Sequence, residues 1–172
     1  MMNDAMLDGL TILDMSQGIA GPYCGLLLGQ QGARVIKVEP PTGDWSRQMG
    51  RAVDGQTAIS IAYNAGKESV VLDTRTPQGR KTLIALAEKA DIIIQNFRPG
   101  VAASMGVEYE VLAKRNPKLV YVSITGYGNE GPLARLPALD TTMQAFAGLM
   151  HTNRDATGNP RRIGFFLVDL TT

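Results

Sequence analysis

The stretch of this chain best equipped for chemistry is residues 91–100 (DIIIQNFRPG), where three consecutive isoleucines run into Asn96, Phe97, Arg98, Pro99 and Gly100. An apolar run bounded by turn formers reads as a buried strand ending in a polar mouth. In parallel α/β sheets ligands sit beyond the carboxyl ends of the strands, where Asn96, Phe97 and Arg98 would then stand. An amide, an aromatic face and a guanidinium suit a nucleotide: one bonds a base edge, one stacks, one pairs with phosphate. The same residues equally suit a plain strand-to-loop exit.

Other reactive types are few. The one cysteine, Cys24, excludes an intrachain disulfide and a cysteine-built metal cluster, and the one histidine, His151, disfavours a His metal site or a Ser-His-Asp triad. His151 falls just past an expected helix end and reads as structural or exposed. Chemistry is left to carboxylates, backbone amides and basic side chains, with no metal. The turn-rich EPPTGDWSR stretch brings Asp44, Trp45 and Arg47 beyond a strand end, either as a ligand rim or as a solvated surface loop. Asp169 closes the apolar run IGFFLV, and on local grounds it reads as a helix cap.

The elements that must hold these residues follow from periodicity. Strands are expected over residues 10–15, 34–39, 69–74, 91–97 and 119–125, with a final apolar strand delivering Asp169. Pro22 opens a helix with Leu26 to Leu28 as its apolar face, residues 58–65 form a short helix, and Pro77 opens a third with Leu83, Ile84, Leu86 and Ala87 buried. A short helical piece over VAASMG and a longer one over YEVLAKRN come next. Over residues 138–150, Met143, Phe146, Ala147 and Met150 mark a core-facing side. Alternating β and α elements at this spacing mean an α/β fold: a doubly wound, mainly parallel, Rossmann-like sheet with helices on both faces. There is no internal repeat.

With 172 residues and a formal net charge of +1, the chain suits one sizeable domain and lacks the basic excess of a nucleic-acid binder. No apolar run is long enough to span a bilayer, and MMNDAMLDGL carries an early acid in place of a basic leader, so a cytoplasmic location is expected. Neither GxGxxG nor GxxxxGK[ST] occurs, which counts against NAD and ATP.

Taken together, LDGLTILDMSQGIAGPYCG, GARVIKVEPPTGDWSR, NAGKESVVLDTRTPQGR, ADIIIQNFRPGVAASMG, NPKLVYVSITGYGNEGP, LDTTMQAFAGLM and VDLTT resemble the amino-terminal part of the family III coenzyme A transferases. These CaiB/BaiF-type enzymes include formyl-CoA and carnitine-CoA transferases, with the α-methylacyl-CoA racemases as relatives. The resemblance implies that residues 1–172 are the CoA-binding α/β portion of the large domain, without the family's second domain and carboxyl-terminal return segment. It implies Asp169 as the nucleophile, which takes an acyl group from acyl-CoA as a mixed anhydride, becomes an aspartyl-CoA thioester, and passes CoA to a carboxylic acid. For CoA it implies Ala20, then Leu72, Asp73, Thr74 and Arg75, then Asn96, Phe97 and Arg98, with Asp140 also lining the cleft. Arg75 and Arg98 would meet the phosphates, and Leu72 and Phe97 the adenine. Pro40 and Ser104 replace usually basic positions, for which Arg47 or Lys67 would have to compensate.

On the same grounds CoA and acyl-CoA are substrates, no cofactor is tightly bound, and the full-length family is homodimeric, with no nucleic-acid or membrane partner. Racemases of the family tend to carry Gly-His-Asp where this chain has Ala138, Leu139 and Asp140, so transferase is favoured over racemase. Further alternatives are a plain nucleotide-binding Rossmann domain and a non-catalytic CoA-binding fragment. For a chain of this length the resemblance implies little activity in isolation.

Overall fold

Five of the apolar runs become the strands of one parallel sheet: β1 (Thr11–Asp14), β2 (Arg34–Glu39), β5 (Glu68–Val71), β6 (Ile92–Gln95) and β7 (Val120–Ser123). Their order is β5-β2-β1-β6-β7. The computed structural model describes residues 5–172, and the first four residues of the MMNDAMLDGL stretch lie outside them. The chain divides into two compact units, the first ending at Ile124 and the second spanning Thr125–Thr172. Among the described residues no helix is long and apolar enough to cross a membrane.

Side chains alternate across a strand, so the inner strands β1, β2 and β6 each feed two cores. Leu13, Ile36, Val38 and Ile93 face a core with Leu83 and Ala87 of α3 (Pro77–Ala87) and Leu112 of α5 (Tyr109–Arg115). Ile12, Val35 and Ile94 face the other side, with Cys24 and Leu28 of α1 (Ala20–Gln30) packed against them. The helix α3 starts where expected, with Pro77 in its first turn and the Thr76 hydroxyl accepting the Gly79 N–H at 3.0 Å. The helices α2 (Ala58–Asn64) and α4 (Val101–Ser104) also form where expected. A two-stranded antiparallel ribbon, β3 (Ala52–Val53) with β4 (Gln56–Thr57), was not anticipated.

Local patterning misleads at three places. In α1 the buried residues are Gly21, Pro22 and Gly25, whereas Leu27 is exposed. A side chain at Gly25 would come within 3.1 Å of Asp14 Oδ2 and 3.2 Å of Lys67 Nζ, so glycine lets the helix lie directly on charged groups at the end of β1. In the second unit, α6 (Asp140–Phe146) stops before Gly148, whose φ of +77 separates it from α7 (Leu149–Thr152). Its buried residues are the polar Asp140 and Gln144, four apart on one face, whereas Phe146 and Ala147 are exposed. Finally, the terminal run is no strand: residues 163–166 are irregular and α8 (Leu167–Thr171) is a helix with Asp169 in its first turn. Gln144 takes up the backbone of Ile163 and Phe165, which replaces the pairing a strand would need.

The EPPTGDWSR stretch is solvated only in part: Pro41, Thr42 and Trp45 are exposed, but its charged residues are fixed. Asp44 is 1% exposed and caps a 3-10 turn (Trp45–Gln48), and the Trp45 ring lies over Gly18. Gly18 has φ +83, and a Cβ there would fall 2.1 Å from Trp45 Cζ2. Gly18→Ala is therefore expected to destabilise the protein by about 1–3 kcal/mol, read as a lowered urea midpoint at unchanged slope.

Candidate functional site

At the carboxyl ends of β1 and β2 the apolar face of the sheet gives way to a buried set of charges. Asp14 and Lys37 are register partners across the parallel pair, and each follows an apolar residue two positions earlier on the same face, Ile12 and Val35. Lys37 Nζ lies 2.9 Å from Asp44 Oδ2 and 3.9 Å from Asp14 Oδ2, with these side chains at most 1% exposed. It also donates to the Ser16 carbonyl, and the Ser16 hydroxyl donates to Asp14. Lys67 Nζ lies 2.7 Å from Asp14 Oδ2 and donates to the Pro22 carbonyl at 2.7 Å. Burial pushes the Lys67 ammonium below its usual range, against the pull of Asp14.

Around this set Arg47 grips Glu39 through two bonds of 2.8 and 2.7 Å, which holds the Glu39 carboxyl down at about 2. Asp44 accepts the Gly18 N–H at 2.9 and 3.2 Å. Charge, in other words, fixes the loop of residues 16–18 ahead of α1. Arg47 and Lys67 are both engaged here with carboxylates, and neither stands open to replace the basic positions lost at Pro40 and Ser104.

The sequence-derived candidates of the first unit gather at the same end of the sheet. Ala20 is the first residue of α1; Leu72, Asp73, Thr74 and Arg75 follow β5; Asn96, Phe97 and Arg98 follow β6. Asn96 acts as a clamp: its Oδ1 accepts the Gln17 N–H at 2.9 Å and its Nδ2 donates to the Gln17 carbonyl at 2.7 Å. One amide proton and one lone pair remain for a ligand. Leu72 and Phe97 are half-buried against the same core. Arg75 is exposed and bound to Asp73 at 2.9 and 3.0 Å, and Arg98 is exposed. A cavity of about 440 Å³ lies among Arg75, Pro77, Arg80, Lys81 and Ile84, at the start of α3. Three cations beside an apolar wall suit a phosphorylated ligand.

Asp140 and Asp169 belong to the second unit, where they meet. Asp140, 6% exposed, turns Oδ1 to the N–H groups of Val168 (2.7 Å) and Asp169 (3.3 Å), and its Oδ2 accepts from Gln144 Nε2 at 2.6 Å. A carboxylate in the first turn of a helix is ordinarily stabilised by the amides there. For Asp169 those amides are already taken by Asp140. Burial, reinforced by the Asp140 charge, raises the Asp169 carboxyl from 3.8 to about 6. Its side chain accepts no hydrogen bond among the described residues, so its lone pairs stay available.

Sequence reading missed Asp14, Lys37 and Gln144, and named Asp44 only as part of a loop rim. For the first two a signal existed: Asp14 and Lys37 each interrupt an apolar run at a core-facing position, and two such interruptions of opposite sign in neighbouring strands invite pairing. Among the described residues no group of three or more His, Cys, Asp or Glu is placed to hold a metal ion.

The family model for CoA-transferase family III matches residues 7–172. The acetyl-CoA:oxalate CoA-transferase of Acetobacter aceti is 42% identical over 158 residues, 91% of this chain and 41% of that protein. The succinyl-CoA:glutarate CoA-transferase of Homo sapiens is 37% identical over 174 residues, 100% of this chain and 40% of that protein. A CAIB/BAIF family protein from Brucella suis has a crystal structure similar to this one, with a TM-score of 0.92 at 38% identity over 98% of this chain and 46% of that one. The chain thus spans about two fifths of the length of these curated relatives.

Proposed function

Because the chain belongs to CoA-transferase family III, we propose that it carries the CoA-binding α/β portion and the reacting carboxylate of an enzyme that moves coenzyme A from an acyl-CoA donor to a carboxylic acid. The observation that carries this reading is Asp169, a half-buried carboxylate with free lone pairs and a proton affinity raised to about 6. At pH 7 such a group is still roughly nine-tenths ionised, and a more basic carboxylate is a better nucleophile than an ordinary aspartate.

The reaction then balances in four steps. An Asp169 oxygen attacks the thioester carbonyl, the C–S bond breaks, and CoA leaves as thiolate while a mixed anhydride forms. The thiolate attacks the aspartyl carbonyl of that anhydride, which releases the donor acid and leaves an aspartyl-CoA thioester. The acceptor carboxylate attacks this thioester and expels the thiolate again. Thiolate attack on the acceptor's acyl carbon restores Asp169 and yields the new acyl-CoA. Each step keeps an activated acyl bond, which is what covalent catalysis contributes here.

For CoA itself the reading uses Ala20, Leu72, Asp73, Thr74, Arg75, Asn96, Phe97 and Arg98, with Arg75 and Arg98 on phosphate and Leu72 and Phe97 on adenine. Their gathering at the carboxyl end of the sheet supports it. Asp140 acts behind Asp169, as its cap. CoA serves as substrate and not as a resident cofactor, and the whole enzyme works as a cytoplasmic homodimer without nucleic-acid or membrane partners. A near-balanced charge supports the last point.

Incubation with an acyl-CoA, quenching with hydroxylamine and peptide mass spectrometry test the proposal: Asp169 should be recovered as the hydroxamate, and labelling elsewhere or nowhere refutes it. Since the nucleophile must be ionised, the labelling rate should climb with pH through about 6 and level off above it. A rate flat from pH 5 to 8 would count against Asp169. The linked stability runs the other way. A carboxyl raised in the folded state stabilises the protein fully below 3.8, and that contribution disappears as the pH rises through about 6.

A further inference from the structure

Gln144 is 0% exposed, and the reaction proposed above makes no direct use of it. Its carboxamide is fully engaged. Nε2 donates to Asp140 Oδ2 at 2.6 Å and to the Phe165 carbonyl at 3.3 Å, and Oε1 accepts the Ile163 N–H at 2.8 Å. The partners fix the orientation of the amide, because turning it over would set oxygen against two acceptors and nitrogen against a donor. Asp140, one helical turn earlier on the same face of α6, spends its other oxygen on the N–H groups of Val168 and Asp169. The segment from Ile163 to Asp169 is thereby tied at both ends to two neighbouring side chains of one helix.

We propose that Gln144 is a positioning residue for Asp169: it locks the Asp140 carboxylate in the orientation that caps the turn bearing Asp169 and pins the segment leading into that turn. The inference deepens the reading of Asp169 as the reacting carboxylate and rests on it for its functional meaning. An aspartate side chain has two free torsions, and nothing in its own geometry prefers capping α8 over turning away. The 2.6 Å donor supplied by Gln144 removes that choice. The charged group acting on Asp169 from α6 is Asp140, so fixing Asp140 also fixes the field that Asp169 experiences.

Gln144→Glu provides the decisive test. It keeps the size of the side chain and the acceptor for Ile163, but a carboxyl at this distance from the Asp140 carboxylate holds the bond only while it carries a proton. In nuclear magnetic resonance experiments on the full 172-residue chain without CoA, the Val168 amide of Q144E should be as protected from hydrogen exchange as in the unaltered protein near pH 5. Near pH 8 it should exchange faster by about tenfold after correction for intrinsic rates, the size of one lost charge-assisted hydrogen bond. In Gln144→Leu the Asp169 carboxyl should titrate below about 6, toward the ordinary carboxylate range. Protection of Val168 equal to the unaltered protein at both pH values overturns the proposal. So does a loss of protection in Q144E that is the same at both, since that describes a merely structural residue. Should Q144L fail to fold, the pH contrast within Q144E still decides. Failure of Asp169 to be acylated would sink the proposed reaction and leave this outcome standing, so the two are distinguishable.

Discussion

Asp169→Asn is expected to abolish hydroxylamine capture and to lower CoA transfer by roughly 10,000-fold or more, the scale seen when a covalent nucleophile is removed. The amide has nearly the same shape, and Asp169 uses its backbone N–H, not its carboxylate, in the contacts that hold α8. The variant should therefore fold, with an unchanged urea transition at pH 5. Above pH 6 it should be slightly more stable than the unaltered protein, because it no longer carries a charge held at a raised proton affinity. CoA binding, measured by calorimetry, should survive, since the residues proposed to hold CoA lie at the start of α1 and just after β5 and β6. Retained transfer in this variant would remove Asp169 from the mechanism. Loss of transfer together with loss of the fold would show instead that the contacts of α8 had been misjudged. Asp169→Glu separates presence from position. Moving the carboxylate by one methylene should cost about 100-fold in rate and leave the pH profile recognisable.

Lys37→Met should destabilise the first unit by about 3–5 kcal/mol, because it leaves the buried Asp44 carboxylate without its cation, whereas Asp14 keeps Lys67. The side chains concerned are at most 1% exposed, so water does not make good the loss. Against a typical total stability of about 5–15 kcal/mol, this is a large share for one side chain. The natural control is Arg34→Ala. The Arg34 pair with Glu68 has the same type of geometry, at 2.8 Å, but its side chains are 59% and 55% exposed, so its removal should leave the urea midpoint almost unmoved. Urea midpoints for the two variants, compared at pH 7, give the answer. Similar small losses in both would mean that the charges at the ends of β1 and β2 are hydrated and do not hold residues 16–18. Asp44→Asn should fall between the two, as the amide oxygen can still accept the Gly18 N–H while the charge opposite Lys37 is gone.

Periodicity and turn chemistry in the sequence were enough to place β1, β2, β5, β6 and β7, to start α3 at Pro77 and to demand a parallel sheet. Each of these depends on a few neighbouring residues, and the two cores that sort Leu13 from Ile12 and Ile93 from Ile94 are the alternation of a strand made visible. The tertiary structure alone decided what lies beneath α1 and inside α6. Gly25 outranks Leu27 because the surface it meets is charged, and Gly21 because it lies against Ser16; that surface exists only once Asp14, Lys37, Asp44 and Lys67 arrive from separate elements. Gln144 and Asp140 likewise replace the expected apolar face of α6, since the backbone of residues 163–169 has no strand partner in its unit and takes its hydrogen bonds from them. Apolar burial can be read from spacing because oil needs no particular partner. A buried polar group needs a named one, and the chain names it only by folding.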